Sequence, residues 1–341
     1  MNNDSAADLS LVGPLKPELV IEPGTPVRLD RDDMRRILEI LRAGRAPNTQ
    51  LGYRSDLRGF ASWCRAKGGA PDLPIPPEVV VAYMEHLASQ RKRWATIERH
   101  LAAISAMHEA ADKPTPVRAR VVRAMRRALR RRLTVAQDQV EPLLPVDLAS
   151  IVERVPHTLR WWRNLAMLLL GFAGALRRSE LVAVRVEHLH EDAKGLLLEI
   201  PTSKTDQEGE GFVVPIAAAG GPLCPVAAVK RWMKRGRVRR GYLFGPVNKA
   251  GRALRSAHAL PDKTVALIVK EAVRLIGLDE DDYSGHSLRA GFVTAAKAAR
   301  LTELEIMRHT RHKSLTVLGR YWRPRDALGE GNAVRRVLGE Q

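Results

Sequence analysis

The sequence predicts a mainly α-helical protein of two domains, in which a helical N-terminal domain precedes a mainly helical domain with a small antiparallel β-sheet. Three observations support this fold class. Apolar residues recur at helical spacing over most of the chain, strand-like alternation is absent before residue 180, and a hairpin pattern lies at 195–216. The 341 residues are enough for two separate cores, and 45% of them are apolar, so the chain should fold.

The N-terminal domain is assigned to residues 29–133, after a proline-rich tail at 1–28 that shows no sustained period. The helix predicted at 47–67 is an example. Asn48 or Thr49 can cap its N-terminus, and its apolar residues fall on one stripe. A break rich in Pro and Gly separates it from the next helix. The predicted helices of this domain cover about 30–43, 47–67, 77–90, 93–112 and 115–132.

An arginine-rich segment, RARVVRAMRRALRRR at 118–132, closes the first domain. Its narrow apolar stripe comprises Val121, Val122, Met125 and Leu129, so its eight arginines occupy the rest of the helix surface. A solvated helix face is the alternative, but eight like charges with no acidic partner favour contact with phosphates. The candidate DNA-binding residues are Arg118, Arg120, Arg123, Arg126, Arg127, Arg130, Arg131 and Arg132.

The second domain is assigned to residues 146–325 and follows a linker at 134–145 that lacks a helical period. It opens with a helix capped at Asp147 and continues through an apolar helix at 160–174. The hairpin pattern then supplies two strands joined by a polar turn. Helices follow at about 225–235, 262–276, 286–299, 302–309 and 315–321.

The composition favours nucleic acid as the partner. The net charge is +18, and an excess of that size costs self-repulsion unless an anionic partner relieves it. The longest apolar stretch, at 165–176, is too short to span a membrane, and the N-terminus lacks the pattern of a secretion signal. Cys64 and Cys224 offer neither a disulfide framework nor a metal-site spacing. We therefore expect a reducing, cytoplasmic setting without membrane association.

Tyr321, near the C-terminus, either fills a core or acts as a nucleophile on DNA. A phenol has a pKa of about 10, so its attack on a phosphodiester needs a base or a strongly cationic pocket. The non-bridging oxygens need fixed donors, which arginines supply best, and the leaving 5′ oxygen needs an acid. A tyrosine site should therefore contain two arginines, at least one histidine and a lysine.

The sequence contains a candidate for each group. GALRRSEL places Arg177 and Arg178 after the apolar helix, and SGHSLRAG places His286 and Arg289 on one helix face. The His-x-x-Arg pattern is weak by itself, since HTLR is a second copy elsewhere in the chain. Order and spacing of several segments must therefore decide.

The ordered segments GALRRSEL, PTSKTD, SGHSLRAG and RHKSLTVLGRY resemble the signature boxes of the tyrosine recombinases, also called phage-type integrases. The resemblance covers about residues 145–341, and its overall layout is similar to that of the Cre-like members. The first domain resembles the core-binding domain of these enzymes more loosely. The candidate catalytic set that the resemblance implies is Arg177, Glu180, Lys204, His286, Arg289, His312 and Tyr321.

The resemblance also implies roles. The two arginines would clamp the scissile phosphate, His286 would take the phenolic proton, and Lys204, unless it is merely a solvated turn residue, would protonate the 5′ oxygen. His312 would donate to a non-bridging oxygen, and Glu180 would orient either His286 or an arginine.

Two positions near the boxes depart from the family pattern. Arg178 stands where an apolar residue is usual, and Arg311 stands where glycine is usual. His309 is assigned to packing because its spacing to Tyr321 is wrong.

The function implied is that of a site-specific recombinase that needs no metal, ATP or other cofactor. Cleavage would give a 3′-phosphotyrosyl link and a free 5′ hydroxyl, with strands exchanged by a homotetramer on two inverted-repeat DNA sites. Residues 326–341 form a predicted short helix that is marginal alone; it either folds back on its own domain or docks on a neighbouring subunit. An accessory protein that has lost the chemistry and a relaxing topoisomerase are the alternatives. Integration, excision and resolution of mobile DNA or plasmid dimers remain open as roles.

Overall fold

The computed structural model describes residues 27–28, 47–69, 72–133, 140–201, 211–312, 314–319 and 321. Three predicted features lie outside these residues: the helix at 30–43, the hairpin turn with Lys204, and the C-terminal helix of 326–341. The chain divides into two compact units, residues 1–137 and 138–341. Each unit has its own hydrophobic core.

The first unit is built of helices, as the sequence predicts. Its helices are α1 (Pro47–Ala66), α2 (Pro77–Ser89), α3 (Trp94–Ala110) and α4 (Arg120–Arg132). Two short strands were not predicted: β1 (Val27–Arg28) pairs antiparallel with β2 (Asp72–Leu73). A pair of two-residue strands is too short to produce the alternation by which a strand is recognised in a sequence.

The core of the first unit forms where α1, α2 and α3 bury aromatic and long apolar side chains. Phe60, Tyr83 and Met84 are each at most 2% exposed, and the Phe60 and Tyr83 rings meet edge to face at 4.9 Å between centroids. Helix α4 contributes only Val122 and Leu129 as buried residues. Most of the α4 surface is therefore left to its arginines.

The second unit is mainly helical with a three-stranded antiparallel sheet in the order β3-β4-β5. The strands are β3 (Leu189–Asp192), β4 (Gly195–Ile200) and β5 (Phe212–Ala217). The helices are α5 (Pro145–Arg154), α6 (Leu159–Ala173), α7 (Arg178–Ala183), α8 (Pro225–Gly236), α9 (Lys263–Leu275), α10 (Ser287–Ala298), α11 (Glu303–Thr310) and α12 (Leu315–Gly319).

Three details of the second unit differ from the prediction. Strand β3 was missed because its sequence, LHED, is polar and exposed. The six-residue α7 was also missed, since it is too short to show a helical period. Helix α5 begins at Pro145, so Asp147 is its third residue, and its carboxylate accepts the Leu144 N–H at 2.8 Å.

Helix α6 is the centre of the second core. Leu168 and Leu170 are fully buried on it, and it packs against α8 and α10. Gly171 lets Leu181 on α7 and Leu288 on α10 pack directly against the α6 backbone. A Cβ at this position would lie 2.9 Å from side-chain atoms of both leucines. This close packing fixes α7 and α10, which carry Glu180 and Arg289, against the end of α6. Within the described residues, no helix combines the length and apolar character that crossing a membrane requires.

Candidate active site

The ends of α6, α10, α11 and α12 meet in the second unit and bring most of the predicted set together. Arg177 immediately precedes α7, and His286 immediately precedes α10. His312 follows α11, and Tyr321 follows α12. Of these ends, the N-terminus of α10 beside His286 presents unpaired N–H groups, which favour an anion.

The Tyr321 hydroxyl lies 2.9 Å from Nε2 of His286. The two rings stack with 5.5 Å between centroids, and the His312 ring lies 5.2 Å from the Tyr321 ring. The tyrosine ring also packs against a small apolar cluster that includes Ile306 and Leu318. The Tyr321 ring therefore contributes to apolar packing, while its hydroxyl contacts His286.

His286 is suited to accept the phenolic proton. The pKa of His286 is lowered, first by the protein atoms that surround its ring and then by the charges of Arg289, Arg178 and Arg177. The ring is therefore neutral at pH 7, and Nε2 accepts a proton when Nδ1 carries the ring hydrogen. The residue nonetheless remains exposed to solvent, so a phosphate can reach it.

Arg289 is 2% exposed and is fixed by backbone carbonyls. Its Nη1 donates to the carbonyl of Ala175 at 2.6 Å, and its Nη2 donates to the carbonyl of Thr310. Burial, followed by the charges of Arg177 and Arg311, lowers the pKa of Arg289 to about 10, against the opposing influence of Tyr321 and Glu180. The guanidinium stays protonated at neutral pH in a fixed orientation.

The Glu180 carboxylate binds the side chain of an arginine, which favours the second of the two roles considered for it. Its Oε1 accepts from Nη1 of Arg177 at 2.6 Å, and its Oε2 accepts from the Arg177 peptide N–H at 2.9 Å. Burial alone would raise the pKa of Glu180, but the charge of Arg311 and the hydrogen bonds from Arg177 outweigh it and lower the pKa. Glu180 is therefore ionised, and it binds both the side chain and the peptide N–H of Arg177.

His312 is held in one tautomer by Thr310. The Thr310 hydroxyl donates to the carbonyl of Ile306 at 2.6 Å, so it accepts from Nδ1–H of His312 at 2.6 Å. Burial, and after it the charges of Arg289, Arg177, His286 and Arg311, lower the pKa of His312 to about 3. Neutral His312 thus presents an unprotonated Nε2, and it becomes a donor to phosphate only after a proton is added there. This requirement was not foreseen from the sequence.

His309 packs, as its sequence position predicts. Its ring stacks on Phe292 with 4.4 Å between centroids. Its Nε2–H donates to the carbonyl of Ala173 at 2.6 Å. The His309 ring is thus engaged by Phe292 and Ala173 rather than by the Tyr321–His286 pair.

Arg311, which stands where the family pattern favours glycine, is buried beside Glu180. Its side chain is 3% exposed, and its Nη2 lies 2.9 Å from Oε2 of Glu180. The signal available in the sequence was a large cation at a position that favours glycine, next to a candidate site histidine.

The arginines of 118–132 divide into two groups. Arg126 forms a two-pronged ion pair with Glu98 on α3, at 2.9 and 2.7 Å, which corrects the expectation that the segment has no acidic partner. The pairing was not visible because Glu98 lies in an earlier helix. The exposed group comprises Arg118, Arg120, Arg123, Arg127, Arg130, Arg131 and Arg132.

An apolar groove of about 540 Å³ lies on the second unit beside the site. The side chains of Phe172, Phe292 and His309 line it from the helices, and those of Leu197 and Pro215 line it from the sheet. Because His309 and Phe292 stack on each other, the groove shares a wall with the α11 end that carries His312.

Comparison with known proteins gives consistent results. The sequence model of the phage integrase family matches residues 138–327. An integrase/recombinase xerD homolog of Selenomonas ruminantium is 39% identical over 286 residues, which are 82% of this chain and 83% of that protein. The recombinase cre of Escherichia phage P1 is 26% identical over 337 residues, 93% of this chain and 96% of that protein. A crystal structure of a lambda integrase dimer bound to a COC′ core site has the same fold, with a TM-score of 0.58, 16% identity and coverage of 84% of this chain and 93% of that chain.

Proposed function

Because this chain belongs to the phage integrase family, the tyrosine recombinases that cut and rejoin DNA at specific sites, we propose that Tyr321 is the nucleophile of its strand cleavage. The observation that carries the proposal is the 2.9 Å contact between the Tyr321 hydroxyl and Nε2 of a neutral His286. His286 takes the proton as the phenol oxygen attacks phosphorus, and it returns the proton when the link is reversed.

The scissile phosphate is held by Arg177 and Arg289. Each guanidinium is already oriented, one by Glu180 and the other by the carbonyls of Ala175 and Thr310. Fixed cations cost no reorganisation as negative charge grows on the five-coordinate phosphorus, so their stabilisation is largest in the transition state. The phosphate also supplies the negative charge that favours a proton on Nε2 of His312, which then donates to a non-bridging oxygen.

The leaving 5′ oxygen takes its proton from Lys204. This assignment rests on the position of the lysine between β4, which ends at Ile200, and β5, which begins at Phe212. The product is a 3′-phosphotyrosyl link and a free 5′ hydroxyl. The phosphoester bond is exchanged rather than hydrolysed, so a second 5′ hydroxyl can attack the link and rejoin the strand without ATP or another cofactor.

DNA is bound in part by the seven exposed arginines of the segment 118–132. Their charges release counterions from the phosphate backbone, which supplies affinity that is independent of base sequence. Arg126 is left out of this surface because Glu98 already neutralises it.

Strand exchange takes place in a homotetramer on two DNA sites, each with inverted repeats, and the free protein is monomeric or weakly associated. Residues 326–341 carry an apolar pattern of Ala333, Val334, Val337 and Leu338. The apolar groove beside α11 offers a surface of matching chemistry on a neighbouring subunit. Integration, excision or resolution of mobile DNA or plasmid dimers are the processes that such a reaction serves.

The test is covalent trapping on nicked duplexes taken from inverted repeats in the DNA that flanks the gene. The short fragment between the cleavage site and the nick carries the free 5′ hydroxyl and dissociates, so cleavage is not reversed and the adduct accumulates. Wild-type protein should form an adduct that survives denaturation. Tyr321→Phe should bind the same duplex and form none, while Tyr242→Phe serves as the matched control and keeps the activity. An adduct that persists in Tyr321→Phe would assign another nucleophile.

A further inference from the structure

Arg311 ends α11 in a backbone conformation that favours glycine. Its φ is 60° and its ψ is 37°, in the left-handed region. The peptide N–H groups of Arg311 and His312 both close on the carbonyl of Met307, which is the usual arrangement at the end of a helix. A Cβ is strained there, so the side chain of Arg311 must supply interactions that glycine could not.

The two terminal nitrogens of the Arg311 guanidinium donate to acceptors, whereas its buried Nε has no hydrogen-bond partner. Its Nη1 donates to the carbonyls of Gly174 and His309, each at 3.2 Å. Its Nη2 donates to Oε2 of Glu180 at 2.9 Å and approaches the carbonyl of Ala175 at 3.4 Å. These contacts tie the end of α11 to the turn between α6 and α7.

That turn leads directly into Arg177, and the side chains that hold it come from the rest of the site. The carbonyl of Ala175 accepts from Arg289 at 2.6 Å as well as from Arg311. The carbonyl of Ala173 accepts from His309. A displacement of Arg311 would therefore reach both phosphate-binding arginines.

Glu180 is a single carboxylate shared by two arginines. Its side chain is 3% exposed, and it accepts from Arg177 through both oxygens and from Arg311 through Oε2. If Arg177 were its sole partner, the carboxylate would cancel the charge that is needed at the scissile phosphate. With Arg311 and Arg289 present, the three guanidinium groups and one carboxylate leave a net charge of +2 in the site.

We propose that Arg311 is a positioning residue for strand cleavage, which holds Glu180 in place and offsets its charge so that Arg177 stays oriented and cationic toward the scissile phosphate. The proposal rests on the proposed function of the site. Arg311 acts through Glu180, because its Nη2 donates to the Glu180 carboxylate that also binds Arg177.

Arg311→Gly is the first variant, since glycine suits the backbone at φ 60° and removes the guanidinium. The matched control is Arg237→Gly. Arg237 also ends a helix, α8, with a left-handed φ of 52°, but it is exposed to solvent. Single-turnover cleavage of the nicked duplex at saturating DNA should fall about 10- to 100-fold in Arg311→Gly, the loss expected when a catalytic group is misplaced. DNA affinity should be unchanged, and Arg237→Gly should cleave like the wild type.

A double-mutant cycle with Glu180→Gln distinguishes positioning through Glu180 from a merely structural role. Once Glu180 carries no charge, removal of Arg311 should slow cleavage by less than about threefold. An equal loss from Arg311→Gly in both backgrounds would overturn the proposal, because Arg311 would then act independently of Glu180. A wild-type cleavage rate in Arg311→Gly would overturn it as well.

If Arg311→Gly does not fold, Arg311→Lys replaces it in the same assay. Lysine keeps the charge and the backbone strain but offers one ammonium in place of the two-nitrogen fork, so cleavage should fall about tenfold. A rate equal to that of the wild type would contradict the proposal. Failure of the proposed function is recognised separately, because the wild-type protein itself would then form no adduct.

Discussion

The hydroxyl of Tyr321 and Nε2 of His286 lie 2.9 Å apart, although 35 residues separate them in the sequence. The rings stack, and the pKa of His286 is lowered by the protein atoms around it and by the nearby arginines. A neutral imidazole beside a phenol can take its proton as the oxygen attacks phosphorus. The pair is therefore the centre of the proposed chemistry.

Replacement of His286 by glutamine should slow single-turnover cleavage by about 10²- to 10⁴-fold, because the proton acceptor is lost. DNA affinity should change little, since the arginines that hold the phosphate remain. His258→Gln is the matched control, because His258 is exposed in the same unit and its backbone hydrogen-bonds to Ser256. A His286→Gln protein that cleaves at the wild-type rate would show that another group accepts the proton.

Neutralisation of the α4 surface should flatten the salt dependence of DNA binding. Each lost phosphate contact reduces the slope of log K against log salt by about 0.9, so four lost contacts reduce it by about 3.6. The variant changes Arg123, Arg127, Arg130 and Arg131 to glutamine, and fluorescence anisotropy at several salt concentrations measures the slope. Arg126→Gln is the control and should keep the slope while it loses the ion pair with Glu98. An unchanged slope in the variant with four substitutions would show that this helix face is solvated and does not contact DNA phosphates.

Removal of residues 326–341 should separate cleavage from assembly. The truncated chain should still form the covalent adduct on a single nicked duplex, because Tyr321 and His286 are retained. It should fail to assemble a complex of four protomers and two duplexes in analytical ultracentrifugation. Leu197→Asp, which places a charge in the apolar groove, should have the same effect. Tetramers formed by both variants would exclude the groove as the docking surface.

The free energy of unfolding should fall as the pH decreases from 7 to 5. Burial lowers the pKa of His312 to about 3 and also lowers the pKa values of His100, His108 and His309 in the folded chain. Each of these groups has a pKa near 6.5 in the unfolded chain, so the unfolded state binds more protons below that pH. Well above pH 6.5 these histidines are neutral in both states, and their titration does not lower the free energy of unfolding. Between pH 7 and pH 5, His312 alone lowers the free energy of unfolding by about 2 kcal/mol. Urea denaturation at the two pH values measures it, and equal stability at both would contradict these pKa shifts.

Much of the fold could be predicted because most elements are long amphipathic helices. The segments predicted as helices at 47–67, 77–90 and 262–276 are helical and bury apolar residues in the two cores, although Leu51 of the first segment is 64% exposed. Strand β3 and helix α7 were missed because four to six residues do not establish a period. Strand β3 is defined by its pairing with β4, and α7 is defined by its packing against α6 and α9.

The sequence predicted the residue types of the site and their order along the chain. It did not predict the hydrogen bonds that connect them. Glu180 could be placed near the arginines, whereas its sharing between Arg177 and Arg311 depends on the end of α11, 131 residues away. The tautomer of His312 depends on how Thr310 uses its hydroxyl, which no spacing reveals. Tertiary contacts thus determine what the sequence leaves open.

Mapping of the covalent link tests the central claim most directly. After the trapped adduct is digested with nuclease and trypsin, cleavage follows Arg320 and skips the Arg323–Pro324 bond, which releases the peptide Tyr321–Arg325. We predict that mass spectrometry finds this peptide carrying a nucleotide through its phosphate on Tyr321, and that the released strand has a free 5′ hydroxyl. A nucleotide on any other peptide, or a 5′-phosphate on the released strand, would contradict it.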